Sequence, residues 1–119
     1  MARLLFCEDD ALIRRMIGAM LRGSGHEVAI AADGAEGLAL IAREPPAIVF
    51  TDRWMPGLDG LALCDALKAR ADLAHIPVVV VTAATQQEEL DEALRHGAAA
   101  VLKKPFTMAD LRAMIARFT

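Results

Sequence analysis

Five short, continuously apolar runs alternate with stretches of helical periodicity, and this alternation constrains the fold more than any other feature of the chain. The runs cover residues 3–7, 27–30, 47–50, 77–81 and 99–103. Continuous apolar runs, unlike alternating ones, are typical of strands that are covered on both faces. The sequence therefore predicts five buried strands.

Apolar residues with helical spacing follow each of these runs. On the first predicted helix, Ile13, Ile17 and Leu21 share one face. The later helices are marked by Leu38 with Ile41, Leu63 with Leu67, Leu90 with Leu94, and Leu111 with Met114 and Ile115. A strand followed by a helix, five times over, predicts an α/β fold with a parallel sheet, right-handed crossovers and helices on both faces.

Turn and capping residues fit the same boundaries. Gly23 follows the first helix and Gly97 follows the fourth, where a left-handed C-cap is expected. The predicted N-caps are Asp59, Thr85 and Thr107.

The composition indicates one domain over residues 1–119, because 55% of the residues are hydrophobic and can form one core. The net charge of −3 argues against a nucleic-acid-binding surface, which is normally basic. Neither a signal peptide nor an apolar run long enough to cross a membrane is visible, so a cytoplasmic location is expected. Cys7 and Cys64 lack metal or redox spacing and are expected to be small buried hydrophobes.

Polar residues follow four of the five predicted strands. They are Glu8, Asp9 and Asp10 after the first, Asp52 at the third, Thr82 at the fourth, and Lys103 and Lys104 at the fifth. Ligands of doubly wound sheets bind at the carboxyl ends of the strands, so these side chains are expected at one rim.

Several carboxylates in one small pocket repel each other. Each pair costs about 4 kcal/mol at a separation of about 4 Å and an effective dielectric constant of about 20. A hard divalent cation offsets this repulsion, and Mg²⁺ suits a few carboxylates with waters and a phosphate. The alternative for the acidic run 8–10 alone is a set of solvated acids, but Asp52, Thr82 and Lys104 at the other strand ends favour a metal site.

The same residues lie in four blocks that resemble the signature blocks of response-regulator receiver domains. The blocks are LLFCEDD (4–10), IVFTDRWMPGLDG (48–60), VVVVTAA (78–84) and VLKKPF (101–106). The resemblance covers the whole chain, with the blocks in the expected order and spacing. It implies a doubly wound (βα)5, flavodoxin-like fold whose five-stranded parallel sheet has the order 2-1-3-4-5.

The resemblance also implies a phosphoacceptor site. Asp52 would take a phosphoryl group, as an acyl phosphate, from a phosphohistidine on a histidine kinase or phosphotransfer protein. Mg²⁺ would be bound directly by Asp9 and Asp52, through water by Glu8, and by the backbone carbonyl of Trp54. Lys104 would neutralise phosphoryl oxygens together with Mg²⁺.

Thr82 would be the switch residue, since its hydroxyl can donate to a phosphoryl oxygen and draw its loop inward. The surface formed by the fourth helix, fifth strand and fifth helix would then control the binding of a target protein. A cis bond before Pro105 is implied by the same resemblance, and Lys103 is expected to be a solvated charge.

One departure from the usual receiver pattern concerns the switch. Val101 stands where many receivers have an aromatic residue that moves with the switch threonine. Coupling to the output surface is therefore expected to be weaker or to pass through backbone loops. Alternatively, Val101 and Leu102 form a hydrophobic docking patch.

A second departure concerns hydrolysis of the acyl phosphate. Trp54, two places after Asp52, and Ala84, two places after Thr82, cannot orient a hydrolytic water. We therefore expect a long-lived phosphorylated form. Trp54 lying flat on the surface as a partner-docking residue is an alternative, and the two are compatible.

Two other functions compete with the receiver interpretation. A Mg²⁺-dependent phosphohydrolase needs a second acid two residues after its nucleophile, where Trp54 stands. A degenerate receiver, acting as a phosphorylation-independent binding module, usually lacks a key acid or the lysine, and none is missing here. We expect no enzyme activity beyond Mg²⁺-dependent phosphorylation and dephosphorylation of Asp52.

The remaining polar residues are assigned structural roles. Arg53 is expected to face solvent, and Asp10 either caps the first helix or adds to the negative field of the site. No ligand spacing relates His26, His75 and His96, so they are expected to be structural or surface residues. The chain is expected to be a stand-alone receiver, without direct contact with nucleic acid or membrane, and either monomeric or weakly dimeric.

Overall fold

A computed structural model describes residues 1–84 and 86–119, and within these residues the chain forms five strands and five helices. The strands are β1 (Arg3–Cys7), β2 (Glu27–Ala31), β3 (Ile48–Asp52), β4 (Val78–Thr82) and β5 (Ala100–Lys103). The helices are α1 (Ala11–Leu21), α2 (Gly34–Arg43), α3 (Gly60–Lys68), α4 (Gln87–Arg95) and α5 (Met108–Phe118). The predicted order of elements is confirmed, and the strand ends differ from the expected ones by one or two residues.

The strands form one parallel sheet in the order β2-β1-β3-β4-β5. This order, which the resemblance implied, is confirmed. Cys7 at the end of β1 pairs with Thr51 of β3. The next residues, Glu8 just after β1 and Asp52 at the end of β3, therefore lie side by side at the carboxyl edge of the sheet.

Each face of the sheet has its own hydrophobic core, because successive strand side chains point to opposite faces. On one face, Val49 and Val80 pack in a cluster with Leu63 of α3. On the other face, Phe50 packs with Leu111 of α5, and its ring stacks on that of Phe6 with the centroids 4.7 Å apart. The continuous apolar runs of the sequence thus correspond to strands buried on both sides, where a fully buried aliphatic side chain contributes about 1.5–3 kcal/mol.

Polar caps fix where the helices beside the sheet edge begin. The carboxylate of Asp10 accepts hydrogen bonds from the backbone N–H groups of Leu12 at 2.8 Å and Ile13 at 3.3 Å, so Asp10 is the N-cap of α1. Asp59 caps α3, and Thr107 caps α5 in a reciprocal capping box. The predicted caps at Asp59 and Thr107 are confirmed, as is the capping alternative for Asp10.

Glycines and a further cap define other helix ends. Gly23 and Gly97 have φ angles of +76° and +101°, the left-handed conformation that was predicted after α1 and α4. Asp33 caps α2 by accepting from the N–H of Glu36, a role that the sequence analysis did not assign. The predicted cap at Thr85 lies outside the described residues.

Both cysteines are buried free thiols, as expected. Burial raises the pKa of the Cys7 thiol to about 12 and that of the Cys64 thiol to about 11. Both thiols therefore stay protonated at neutral pH and behave as small apolar side chains. Among the helices formed by residues 1–84 and 86–119, none is both long enough and apolar enough to pass through a bilayer.

Candidate functional site

A cleft of about 330 Å³ lies at the carboxyl edge of the sheet. Its lining includes all six residues for which a site role was predicted, namely Glu8, Asp9, Asp52, Trp54, Thr82 and Lys104. These residues come from the ends of β3 and β4 and from the loops that follow β1, β3 and β5. The fold therefore brings together residues from four separate segments of the chain.

Three carboxylates form the acidic part of the cleft. One oxygen each of Glu8, Asp9 and Asp52 can be chosen so that all three lie within 4.8 Å of one another. Glu8 and Asp52 are only 3% and 5% exposed, whereas Asp9 is exposed. An all-oxygen ligand set of this kind fits a hard divalent cation such as Mg²⁺, and Trp54 in the same cleft has a backbone carbonyl to add.

Glu8 is held in the cleft by the backbone and by two basic side chains. Its N–H donates to the carbonyl of Ala31 in β2 at 3.0 Å, and its own carbonyl accepts from the Arg14 guanidinium at 2.9 Å. Its carboxylate accepts from the N–H of Asp10 at 3.1 Å and from the Lys104 ammonium at 3.2 Å. Contacts with Asp10 and Arg14, at the start of α1, thus hold the buried Glu8 in place beside the end of β3.

Lys104 lies between the two buried carboxylates. Its Nζ is 2.6 Å from Oδ1 of Asp52 and 3.2 Å from Oε1 of Glu8. The Lys104 N–H donates to the carbonyl of Thr82 at 2.9 Å, which ties the loop after β5 to the end of β4. The peptide bond between Lys104 and Pro105 is cis, as the resemblance implied.

The three groups share protons unequally. Burial and the hydrogen bond with Glu8 raise the pKa of Asp52 to about 8, although the nearby Lys104 ammonium acts in the opposite direction. Burial alone would raise the pKa of Glu8, but hydrogen bonds with Asp52 and the Asp10 N–H, together with Lys104, hold it below its ordinary value. Burial acts against the charge of Lys104, but the two carboxylates raise its pKa.

These opposite shifts favour a proton on Asp52 over one on Glu8. A dication in the cleft would replace that proton by electrostatic competition, since positive charge near a carboxylate lowers its pKa.

Thr82 is half-buried at the end of β4 and its hydroxyl oxygen accepts a hydrogen bond from the N–H of Ala84 at 3.1 Å. Its own O–H proton can donate to a group in the cleft that it lines. Lys103, in contrast, is exposed, in agreement with the expectation of a solvated charge.

The two residues of the predicted docking patch on β5 have different surroundings. Val101 pairs in register with Val80 and packs, half-buried, against the core on one face of the sheet. Leu102 is buried in the core on the opposite face. The alternative of a hydrophobic docking patch that combines Val101 and Leu102 is therefore wrong, because adjacent strand residues point in opposite directions.

The expectation that Arg53 faces solvent is also wrong. Its side chain is only 14% exposed and forms ion pairs with Asp59, with N···O 3.2 Å, and Glu92, with N···O 2.8 Å. The guanidinium carbon lies 3.7 Å from the centre of the Trp54 ring. Glu92 comes 39 positions later in the chain on another helix, so no sequence spacing indicates this contact.

Trp54 is 68% exposed, with its ring against Arg53.

Two of the histidines have structural contacts, as expected. Nδ1 of His26 accepts from the N–H of Ala2 at 3.1 Å, and Nδ1 of His96 lies 2.8 Å from a carboxylate oxygen of Asp65. Among residues 1–84 and 86–119, the acidic trio in the cleft is the one group with metal-ligand spacing, and it contains no histidine.

Comparisons with known proteins identify the family of the chain. Residues 4–116 match the family model described as the response regulator receiver domain. The response regulator MprA of Mycobacterium leprae is 36% identical over 113 residues, which cover 95% of this chain and 49% of MprA. The chain spans at most about half the length of the curated relatives that it matches first.

Solved structures show the same architecture over nearly the whole chain. The chemotaxis protein CheY4 of Vibrio cholerae is 30% identical, with a TM-score of 0.92 over 100% of this chain and 99% of CheY4. The receiver domain of the sensor histidine kinase PA1611 of Pseudomonas aeruginosa is 28% identical, with a TM-score of 0.89 over 98% of this chain and 96% of that domain. That structure has a magnesium ion coordinated in its active site cleft.

Proposed function

The chain belongs to the response regulator receiver domain family of two-component signalling, and we propose that it accepts a phosphoryl group on Asp52. The donor is a phosphohistidine on a histidine kinase or a phosphotransfer protein. The observation that best supports this proposal is the position of Asp52. Its carboxylate is buried at the end of β3, with the Lys104 ammonium and two further carboxylates in the same cleft.

Asp9, Asp52 and the Trp54 carbonyl would bind Mg²⁺ directly, with Glu8 acting through water. When bound, Mg²⁺ supplies the positive charge that offsets the clustered carboxylates and the charge on the phosphoryl oxygens. The oxygen-only donors of the cleft fit this cation.

Asp52 acts as the nucleophile in its ionised form, and any proton that its raised pKa retains passes to solvent, from which the leaving nitrogen takes its proton. One of its carboxylate oxygens forms a bond to phosphorus as the bond between phosphorus and the donor imidazole nitrogen breaks. The nitrogen keeps the bonding electron pair and takes up a proton. The product is an acyl phosphate, and no step acts on an external substrate.

Lys104 changes partner during this transfer. Its ammonium pairs with Oδ1 of Asp52 in the resting protein and with a phosphoryl oxygen in the product. Thr82 donates its hydroxyl proton to another phosphoryl oxygen. Because the Thr82 carbonyl accepts from the Lys104 N–H, the two residues move as a linked pair. Their movement alters the surface of α4, β5 and α5 and so controls binding of a target protein.

The test is incubation with acetyl phosphate and Mg²⁺, followed by intact mass measurement. We expect a gain of one phosphoryl group in the native chain and none in Asp52→Asn. Asp91→Asn, which removes an exposed carboxylate on α4, is the matched control and should be phosphorylated normally.

Two other results would contradict the proposal. Turnover of small phosphoesters without a stable mass gain would indicate a phosphohydrolase. Neither turnover nor mass gain would indicate a binding module that works without phosphorylation.

A further inference from the structure

Arg53 follows Asp52 directly and links the loop after β3 to two helices. One guanidinium nitrogen lies 3.2 Å from Oδ2 of Asp59 at the start of α3. The other terminal nitrogen lies 2.8 Å from Oε1 of Glu92 on α4. The guanidinium also stacks on the Trp54 ring. The Arg53 side chain, which follows Asp52 in the chain, is thus in ionic contact with Glu92 of α4.

The α3 side of this arrangement is firmly anchored. The second carboxylate oxygen of Asp59 accepts from the N–H of Ala62, so Asp59 caps α3 while it binds Arg53. The backbone of Arg53 is fixed as well, because its N–H donates to Val81 at 3.0 Å and its carbonyl accepts from Gly60 at 3.1 Å. The ion pair with Glu92 is thus the connection from this fixed point to α4.

Two neighbouring cavities share part of their lining. Arg53, Trp54 and Thr82 all line both the acidic cleft and a second cavity of about 150 Å³. Glu92 and Ala93 of α4 form part of the wall of this second cavity. A shift of the loop after Asp52, or of Thr82, therefore changes the shape of both cavities.

We propose that Arg53 is a positioning residue that couples the acidic cleft to α4 through its ion pair with Glu92, and that it holds the Trp54 ring in place. This inference rests on the proposed function, since the signal it transmits is the phosphoryl group on Asp52.

Coupling through the ion pair has a measurable consequence. If the Arg53–Glu92 pair carries the response of α4 to the loop after Asp52, then removing Glu92 weakens that response. A contact that served stability alone would lower the protection of α4 in every state and leave the response unchanged.

Glu92→Ala is the main variant, because Glu92 lies outside the acidic cleft and alanine is a good helix former. Glu92→Gln keeps a neutral acceptor for Arg53 and serves as the conservative variant. Arg53→Met removes the other partner of the ion pair, the guanidinium. The double variant, Arg53→Met with Glu92→Ala, tests whether the two residues act together. Asp91→Ala is the matched control, since its carboxylate accepts from Gln87 and belongs to the same helix.

The primary measurement is amide hydrogen exchange of α4 with Mg²⁺, in the presence and absence of beryllofluoride as a phosphoryl analogue. We expect the analogue-induced change in α4 exchange to fall at least about threefold in Glu92→Ala and in Arg53→Met, with no further fall in the double variant. Glu92→Gln should retain an intermediate response, and Asp91→Ala should match the native chain.

Trp54 supplies a spectroscopic signature, because it is the only tryptophan and the chain has no tyrosine. Its fluorescence emission should change in Glu92→Ala, because the Arg53 guanidinium that stacks on the ring loses its ion pair with Glu92. The emission should stay unchanged in Asp91→Ala. Phosphoryl uptake from acetyl phosphate should be the same in Glu92→Ala as in the native chain.

An α4 response in Glu92→Ala and Arg53→Met equal to that of the native chain would overturn the inference and leave the proposed function intact. If the native chain itself took up no phosphoryl group, the proposed function would fail, and the inference would be overturned with it. Intact mass therefore distinguishes the two failures.

Discussion

The ammonium nitrogen of Lys104 lies 2.6 Å from Oδ1 of Asp52, so the proposed phosphoacceptor oxygen has a positive partner before any phosphoryl group arrives. The same nitrogen is 3.2 Å from Glu8, and the three groups form a buried charge cluster. The proposed transfer of a phosphoryl group to Asp52 would require Lys104 to move from this pairing to a phosphoryl oxygen.

Replacing Lys104 by methionine should lower the free energy of unfolding by about 1–3 kcal/mol, because the buried Glu8 carboxylate loses its counter-ion and Asp52 loses a hydrogen-bond donor. It should also reduce phosphoryl uptake from acetyl phosphate. Urea denaturation and intact mass measure the two effects. Lys103→Met changes the adjacent, exposed lysine and should shift stability by less than about 0.5 kcal/mol. Equal losses in the two variants would contradict the assignment of Lys104.

Without Mg²⁺, the stability of the native chain relative to Asp52→Asn should fall as the pH rises from 5 to about 8. The pKa of Asp52 is raised from 3.8 to about 8, so in this range the folded state binds its proton more tightly than the unfolded state does. Stability therefore decreases with pH through Asp52, and Asp52→Asn escapes this loss. Between pH 5 and 8 we expect the native chain to lose at least about 1–3 kcal/mol of stability relative to the variant.

The measurement is urea denaturation of both proteins across that pH range in the presence of a chelator. Glu8 does not confound it, because its pKa is lowered from 4.5, and the stability from Glu8 is lost only as the pH falls below that range. A native chain that gained stability over Asp52→Asn between pH 5 and 8 would contradict the assigned proton.

Trp54→Asn should shorten the lifetime of the phosphorylated form by about tenfold, because an amide beside the acyl phosphate can orient the attacking water. The rate of phosphate loss is measured after removal of the donor. Trp54→Phe, which keeps an apolar ring, is the control and should leave the lifetime within about twofold of native. No acceleration in Trp54→Asn would show that the tryptophan does not limit hydrolysis.

Gly60→Ala should destabilise the chain by about 1–3 kcal/mol, since a Cβ at this position would collide with the backbone carbonyl oxygen of Asp52. The loop after β3 would have to shift, and phosphoryl uptake should fall with stability. Gly18→Ala is a matched control, because there the nearest atom is a side-chain carbon of Ile30 at 3.9 Å. Alanine within α1 should stabilise that variant by up to about 1 kcal/mol. A stable, fully active Gly60→Ala would contradict the close approach.

The sequence was sufficient to predict the site residues at the ends of the strands. A parallel sheet delivers the residues after each strand to one edge, so Glu8, Asp52 and Thr82 could be placed from the apolar runs alone. The order of the strands depends on contacts between distant segments, which periodicity does not report. That order came from the resemblance to receiver domains, and the sheet confirms it.

Contacts between distant side chains account for the expectations that failed. Arg53 appeared as a polar residue in a loop, but Asp59 and Glu92 surround it once α3 and α4 pack beside β3. Leu102 was grouped with Val101 because they are neighbours in the chain. Strand geometry sends them to opposite cores, and the apolar run could not show which face each one occupies.

The hydrogen bond from Lys104 to Glu8 joins residues 96 positions apart. The acceptor site is consequently complete only after the last strand has been synthesised and has docked on the sheet. A chain whose fifth strand has not yet formed, or has locally detached, holds Asp52 without the Lys104 ammonium beside it. Under the proposed function, such a molecule would accept phosphoryl groups poorly, so phosphoryl uptake would depend on a docked fifth strand.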